Sequence, residues 1–263
     1  IIGNHSTVAG IEVTGGCDNV SITNNIIHGM SLENPANQSS FSYGILAYGA
    51  EDTPNPPTNL TISGNEIYDT SGSGLSLGEY TINTTITNNY IHNIDAIFLN
   101  NEYVSIGAMG SYSSQVQVDN NEFSNLTIGC SFSLSSGTIE NNLYDNVSIL
   151  FTSIFSNFGT EGDEFEFIAS DYYAMATSEF FGILYTMNAY CASLSMAMQL
   201  ADNGTTIITS DGEEIIQDCN GEWGGPAMII CEACNNSDIG DVNDDTLVDI
   251  IDIIITINHI LGI

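Results

Sequence analysis

The segment 241–252, DVNDDTLVDIID, sets oxygen-bearing side chains at the spacing of a cation-binding loop. A calcium loop gathers six or seven oxygens at about 2.4 Å. They come from its first, third, fifth, ninth and twelfth side chains and its seventh carbonyl. Here those side chains are Asp241, Asn243, Asp245, Asp249 and Asp252, and the carbonyl belongs to Leu247. Two positions depart from the usual pattern. Thr246 stands sixth, where glycine ordinarily makes the turn, and Asp252 replaces a bidentate glutamate. The expected cofactor is Ca2+.

No catalytic constellation stands out. The weak candidates are Glu66 and Glu122, which hold the same place in two copies of a repeat, with Tyr90 in the copy between them. If the copies stack as strands they lie roughly 10 Å apart, near the upper limit for an inverting carboxylate pair. Solvated surface glutamates are the plainer reading. His28, Tyr68 and His92 share another repeat position and form a polar-aromatic stripe. Such a stripe could stack on a neutral glycan or hold a metal. Cys219, Cys231 and Cys234 crowd together without a fourth zinc ligand nearby. A disulfide set completed by Cys191 fits better and suits an oxidising compartment. Cys17 and Cys130 fall too far apart along a stack to bridge, and read as buried packing thiols.

Charge narrows the field further. The chain has 263 residues, 33 Asp plus Glu, no Lys and no Arg, for a formal charge of −33. Average usage would have supplied about 30 basic residues. Without them, nucleic acid cannot be bound by phosphate neutralisation, nor an anionic membrane surface by a basic patch. A Walker lysine, an arginine finger and a Schiff-base lysine are equally excluded. Cations, neutral molecules and proteins remain as partners, and bound divalent cations would relieve the self-repulsion.

These groups must be positioned by a repeat. Residues 19–28 (NVSITNNIIH), 59–68 (NLTISGNEIY), 83–92 (NTTITNNYIH), 115–124 (QVQVDNNEFS) and 136–145 (SGTIENNLYD) align without gaps. The fourth position is always Ile or Val. The seventh is always asparagine: Asn25, Asn65, Asn89, Asn121 and Asn142. A short strand containing or following glycine precedes each copy, with Ile11 and Val13, or Leu75 and Leu77, on one face. One such turn cannot bury its own apolar face, but turns stacked about 4.8 Å apart can. Asparagine tolerates a left-handed bend, and stacked asparagines can also bond to one another. The five therefore read as a structural ladder at a corner between strands.

The repeat resembles the right-handed parallel β-helix of the pectate-lyase-like superfamily, with its NxIxxNxI coils. The resemblance implies an all-β solenoid over residues 1–158. Lyases and epimerases of that kind place Lys or Arg near a substrate carboxylate, and the hydrolases carry a Gly-His-Gly; this chain has neither. The acidic loop and the apolar helix after it, ending Leu261-Gly262, resemble one half of a dockerin. That resemblance implies a small calcium loop–helix module over 238–263. Residues 218–237 form a Cys-rich linker similar to short extracellular DCxGxWGG repeats.

Residues 159–217 are left as a capping or β-rich segment. Within them, 180–201 runs 22 residues without a charge, enough to span a bilayer as a helix. Its polar residues and lack of basic anchors favour packing against an open end of the solenoid. Residues 205–217 read as a hairpin about Asp211-Gly212. Nine Asn-x-Ser/Thr sequons occur, Asn59, Asn83 and Asn125 among them, but the repeat itself generates several.

The chain opens on Ile1 with no visible leader and reads as a mature or truncated product. The expected function is a secreted, calcium-binding β-helix with a structural, adhesive or assembly role at the cell surface or in the matrix. Self-assembly or a protein partner would act through the C-terminal module. The alternative is a polysaccharide-acting enzyme or a neutral-glycan binding module with a dockerin-like tail.

Overall fold

The computed structural model describes residues 8–37, 40–49, 55–78, 80–99, 102–154, 156–158, 172–180, 183–201, 205–209, 211–217 and 221–224. Its body is a stack of parallel coils. Strands Val8–Thr14, Ser42–Tyr48, Ser73–Leu77, Ile106–Ser111, Glu122–Ser133 and Leu143–Ile154 pair in that order, all parallel. A second file runs Ser21–Thr23, Thr58–Ser63, Ile82–Thr87, Ser114–Asp119, Ser136–Glu140 and Asn157–Phe158. A third, narrow file joins Ile26–Ile27, Glu66–Ile67 and Tyr90–His92 to the first turns of Glu122–Ser133 and Leu143–Ile154. The repeats thus stack in register as an all-β solenoid, the fold class expected from their pattern.

Each coil turns at left-handed residues. One corner uses Asn24, Gly64, Asn88, Asn120 and Asn141, with φ between +52° and +67°. These occupy the sixth repeat position. The ladder asparagines one residue later are not left-handed, so the bend expected at the seventh position belongs to its neighbour. Two further corners use Asn19, Asn59, Asn83 and Gln115, then Gly29, Asp69, Asn93, Asn125 and Asn146. Asparagine and glycine suit these sites because they reach positive φ at least cost.

The seventh-position asparagines face their neighbours above and below. The Nδ2 of Asn25, Asn65, Asn89 and Asn121 donates to the Oδ1 of the next asparagine at 2.9–3.0 Å. The same Oδ1 also accepts from the preceding asparagine's backbone N–H. From Asn65 onward each Nδ2 reaches back to a main-chain carbonyl as well, on Ile22, Ile62, Ile86 and Val118 in turn. Asn65, Asn89 and Asn121 are at most 2 % exposed. A second buried column repeats the device with hydroxyls: Thr81 Oγ1 donates to Ser113 Oγ, and the backbone N–H groups of Ser113 and Ser135 donate to Ser135 Oγ and Ser156 Oγ. Left-handed Tyr80, Tyr112 and Leu134 immediately precede three of its members.

Ile45, Ile62, Ile67, Leu75, Leu77, Ile86, Ile91, Val118, Phe123 and Phe132 fill the interior, each at most 1 % exposed. Glycine is dictated at one column. A Cβ on Gly10, Gly44, Gly74, Gly107 or Gly129 would lie 2.7–3.0 Å from a carbonyl oxygen of the next coil. It would also meet the side chains of Ile27, Ile67, Ile91, Phe123 and Tyr144 respectively. Among the described residues one buried side-chain polar atom lacks a partner, the hydroxyl of fully buried Thr84.

At the C-terminal end the pairing changes sense. Ile183–Cys191 lies antiparallel to Leu143–Ile154, Tyr172–Phe180 antiparallel to that, and Thr206–Thr209 antiparallel in turn. Thr206–Thr209 and Glu214–Ile216 form a hairpin whose turn places Gly212 at φ +84°. This meander covers the last parallel edge of the first file, which would otherwise offer unpaired N–H and C=O groups. A second core cluster of Ile149, Ala174, Ala189, Cys191, Ala197 and Ile207 lies beneath it. Within the uncharged run 180–201, Ile183–Cys191 is a strand and Leu194–Leu200 a short helix capped by Ser193 Oγ. Among the described residues no helix is long and apolar enough to cross a membrane.

Two substitutions test this packing. Asn89→Ala strands the backbone N–H of Asn65 and one of its Nδ2 protons, takes one donor each from the Ile62 carbonyl and Asn121 Oδ1, and should cost about 3 kcal/mol in chemical denaturation. Asn25→Ala, at the exposed end of the ladder, should cost under about 1 kcal/mol. Equal losses would contradict the ladder. Thr84→Val removes an unsatisfied buried hydroxyl at nearly constant volume and should stabilise by about 1 kcal/mol; a lower unfolding midpoint would contradict that.

Candidate functional site

The outer surface of the narrow file carries the titratable residues singled out by the repeat. In the eighth column Ile26, Glu66, Tyr90, Glu122 and Leu143 follow one another in register. Two residues on lies the tenth column of His28, Tyr68, His92, Ser124 and Asp145. Side chains two apart on a strand share a face, so both columns project outward together. The rings stack along the column: His28 on Tyr68 at 4.9 Å and 3°, Tyr68 on His92 at 5.1 Å, and Tyr90 on His92 at 4.0 Å. Stacking of this kind occupies the faces of Tyr68 and His92 with neighbouring rings. The faces on which a sugar would stack are thus taken at Tyr68 and His92, while exposed His28 has one ring neighbour.

A continuous run of hydrogen bonds ends on Glu66. Asn146 Nδ2 donates to Asn125 Oδ1, and Asn125 Nδ2 to Asn93 Oδ1. That fixes the Asn93 amide, whose Nδ2 lies 2.9 Å from His92 Nδ1. Nδ1 is then the acceptor, so the proton sits on Nε2 and points to Glu66 Oε1 at 3.2 Å. His92 is thereby engaged at both nitrogens and is 12 % exposed. Glu66 meets His92 across the coils, while Tyr90 fills the register between Glu66 and Glu122. An inverting pair needs open space for substrate and water between its carboxyls. The structure places an aromatic ring there.

The sequence patterns did not point to a second surface feature. A groove of about 520 Å3 runs over the outer face of the first strand file, lined by Glu12, Tyr43, Leu46, Tyr48, Ser76, Gly78, Met109 and Ser111. Glu12, Leu46, Ser76 and Met109 come from four successive coils in direct register. They share no residue type, so no repeat signal marks them; only the strand register brings them together. Tyr48 donates its hydroxyl to Glu12 Oε1 at 2.9 Å. That bond and the negative charge of Glu12 raise the Tyr48 pKa above the ordinary phenol range.

Elsewhere the carboxylates are held by amides and hydroxyls. Asp18 accepts from Thr58 Oγ1, Asn59 Nδ2 and Asn19 Nδ2 at 2.6–2.7 Å, and the bonds from Thr58 and Asn59 chiefly lower its pKa. Cys130 is fully buried against Tyr144, and burial pushes its thiol up. Cys17 is half-buried at the edge of the core rather than enclosed by it. Cys191 is buried beneath the terminal meander, its thiol pushed up to about 12 by burial. Its candidate partners Cys219, Cys231 and Cys234 lie outside the described residues, as do the calcium-loop positions Asp241, Asn243, Asp245, Leu247, Asp249 and Asp252. Among the described residues no three His, Cys, Asp or Glu side chains gather as a metal site.

Comparison with known proteins agrees with this architecture. A family model described as a right handed beta helix region matches residues 9–166. No curated protein and no solved structure matches the chain. The match spans more than half of the sequence and covers the coils whose asparagine, hydroxyl and glycine columns stack in register: the chain belongs to the right-handed β-helix family.

Proposed function

We propose that this chain is a secreted, calcium-binding β-helix with a structural or adhesive role at the cell surface or in the extracellular matrix. The observation that carries the reading is the composition of its exterior. A long stacked scaffold bears carboxylates, amides and hydroxyls with not one Lys or Arg among them, at a formal charge of −33. Such a surface repels itself and its copies unless cations intervene. The segment 241–252 supplies the oxygen pattern for one cation, through Asp241, Asn243, Asp245, Asp249, Asp252 and the Leu247 carbonyl. Further calcium between carboxylate surfaces would let copies or partners associate.

The engagement of Glu66 by His92, and of Asp18 by its amide and hydroxyl neighbours, supports a role exercised through the surface. These contacts tie coil to coil and leave the ring file packed on itself.

Calorimetric titration of the intact chain with CaCl2, with sedimentation before and after chelation, tests the proposal. One saturable site is expected, lost on combined Asp241→Asn and Asp245→Asn substitution, together with calcium-dependent association. Absence of saturable binding, or binding that survives both substitutions, would overturn the calcium reading. A chain that binds calcium and stays monomeric would overturn the assembly role.

A further inference from the structure

The groove over the first strand file has a composition that suits one ligand class. Its lining mixes polar and apolar surface, with Leu46 and Met109 on either side of buried Ser76. Its walls include the rings of Tyr43 and Tyr48, and Glu12 brings one carboxylate, already hydrogen-bonded through Oε1 to Tyr48. Glu12 is exposed to solvent, so a ligand reaches it without rearrangement. The lining residues of four coils in register extend the groove about 14 Å along the stack.

We propose that this groove binds a linear aliphatic diamine or polyamine. A protonated amine is attracted both to a carboxylate and to the face of a tyrosine ring. The methylene chain between amines lies over Leu46 and Met109, where part of its apolar area leaves water. In most proteins a lysine or arginine of the same chain would compete for a carboxylate flanked by tyrosines; this chain contains neither. The overall negative field raises the local concentration of any cation at the mouth. A hard divalent ion fits poorly, because it favours several anionic oxygens and Glu12 is the one carboxylate among the lining residues.

The field alone would attract amines everywhere, so the experiment must separate a site from an atmosphere. The intact chain, with its methionine methyls isotopically labelled, is titrated with α,ω-diaminooctane and with the uncharged octanediol of equal length, at physiological salt. The diamine is expected to shift the Met109 methyl resonance saturably, and the diol to shift it far less. Glu12→Gln should weaken diamine binding about tenfold, the loss of one charge-assisted contact. Glu140→Gln, which removes an equally exposed carboxylate on the second strand file, should leave it unchanged. Equal weakening in both variants, shifts spread evenly over the methionines, equal binding of the diol, or no binding would each overturn the proposal. None of these outcomes bears on the calcium reading, which concerns a different segment and ion.

Discussion

A buried carboxamide has two donors and an acceptor to satisfy, and in this stack the groups that satisfy it belong to the coils on either side. Asn65, Asn89 and Asn121 each give one Nδ2 proton forward to the next asparagine and one back to a main-chain carbonyl, while their Oδ1 accepts two bonds. A coil displaced by one residue would leave several buried polar atoms unmatched, at a cost of about 1–3 kcal/mol each. The ladder thus sets the register, and the register decides everything placed upon it. The glycine column is needed because coils held this closely bring carbonyl oxygens to within 3.0 Å of any added Cβ.

Function follows from the same constraint. The stack carries side chains outward in columns, so a residue's neighbours on the surface come from other coils rather than from its own loop. His92 meets Glu66 from the coil before it, and Tyr48 meets Glu12 across the same interval. The narrow file and the groove therefore exist only while coils remain in step. The antiparallel meander protects that order by covering the final parallel edge of the first strand file.

Much of this was legible in the residues. The seventh-position asparagines and the apolar alternation identify a stacked solenoid from the sequence alone, because few other folds need an amide at the same corner of every turn. The assignment of roles within the corner was harder. Asn24-Asn25, Asn88-Asn89, Asn120-Asn121 and Asn141-Asn142 are identical pairs, and either member could take the left-handed bend. Gly64-Asn65 alone separates them: glycine at the sixth position marks the bend, and asparagine at the seventh marks the ladder. The hydroxyl column of Thr81, Ser113, Ser135 and Ser156 escaped notice because its members vary in type and in distance from the repeat. The groove escaped for a similar reason. Glu12, Leu46, Ser76 and Met109 have only their register in common, and insertions between coils hide that register in the linear chain.

Hydrogen exchange of the side-chain carboxamides, resolved by NMR, tests the central claim most directly. The Nδ2 protons of Asn65, Asn89 and Asn121 should exchange only through global unfolding, while those of the exposed corner residues Asn24, Asn88 and Asn120 exchange quickly. Uniformly fast exchange across both sets would mean that no buried ladder holds the coils together.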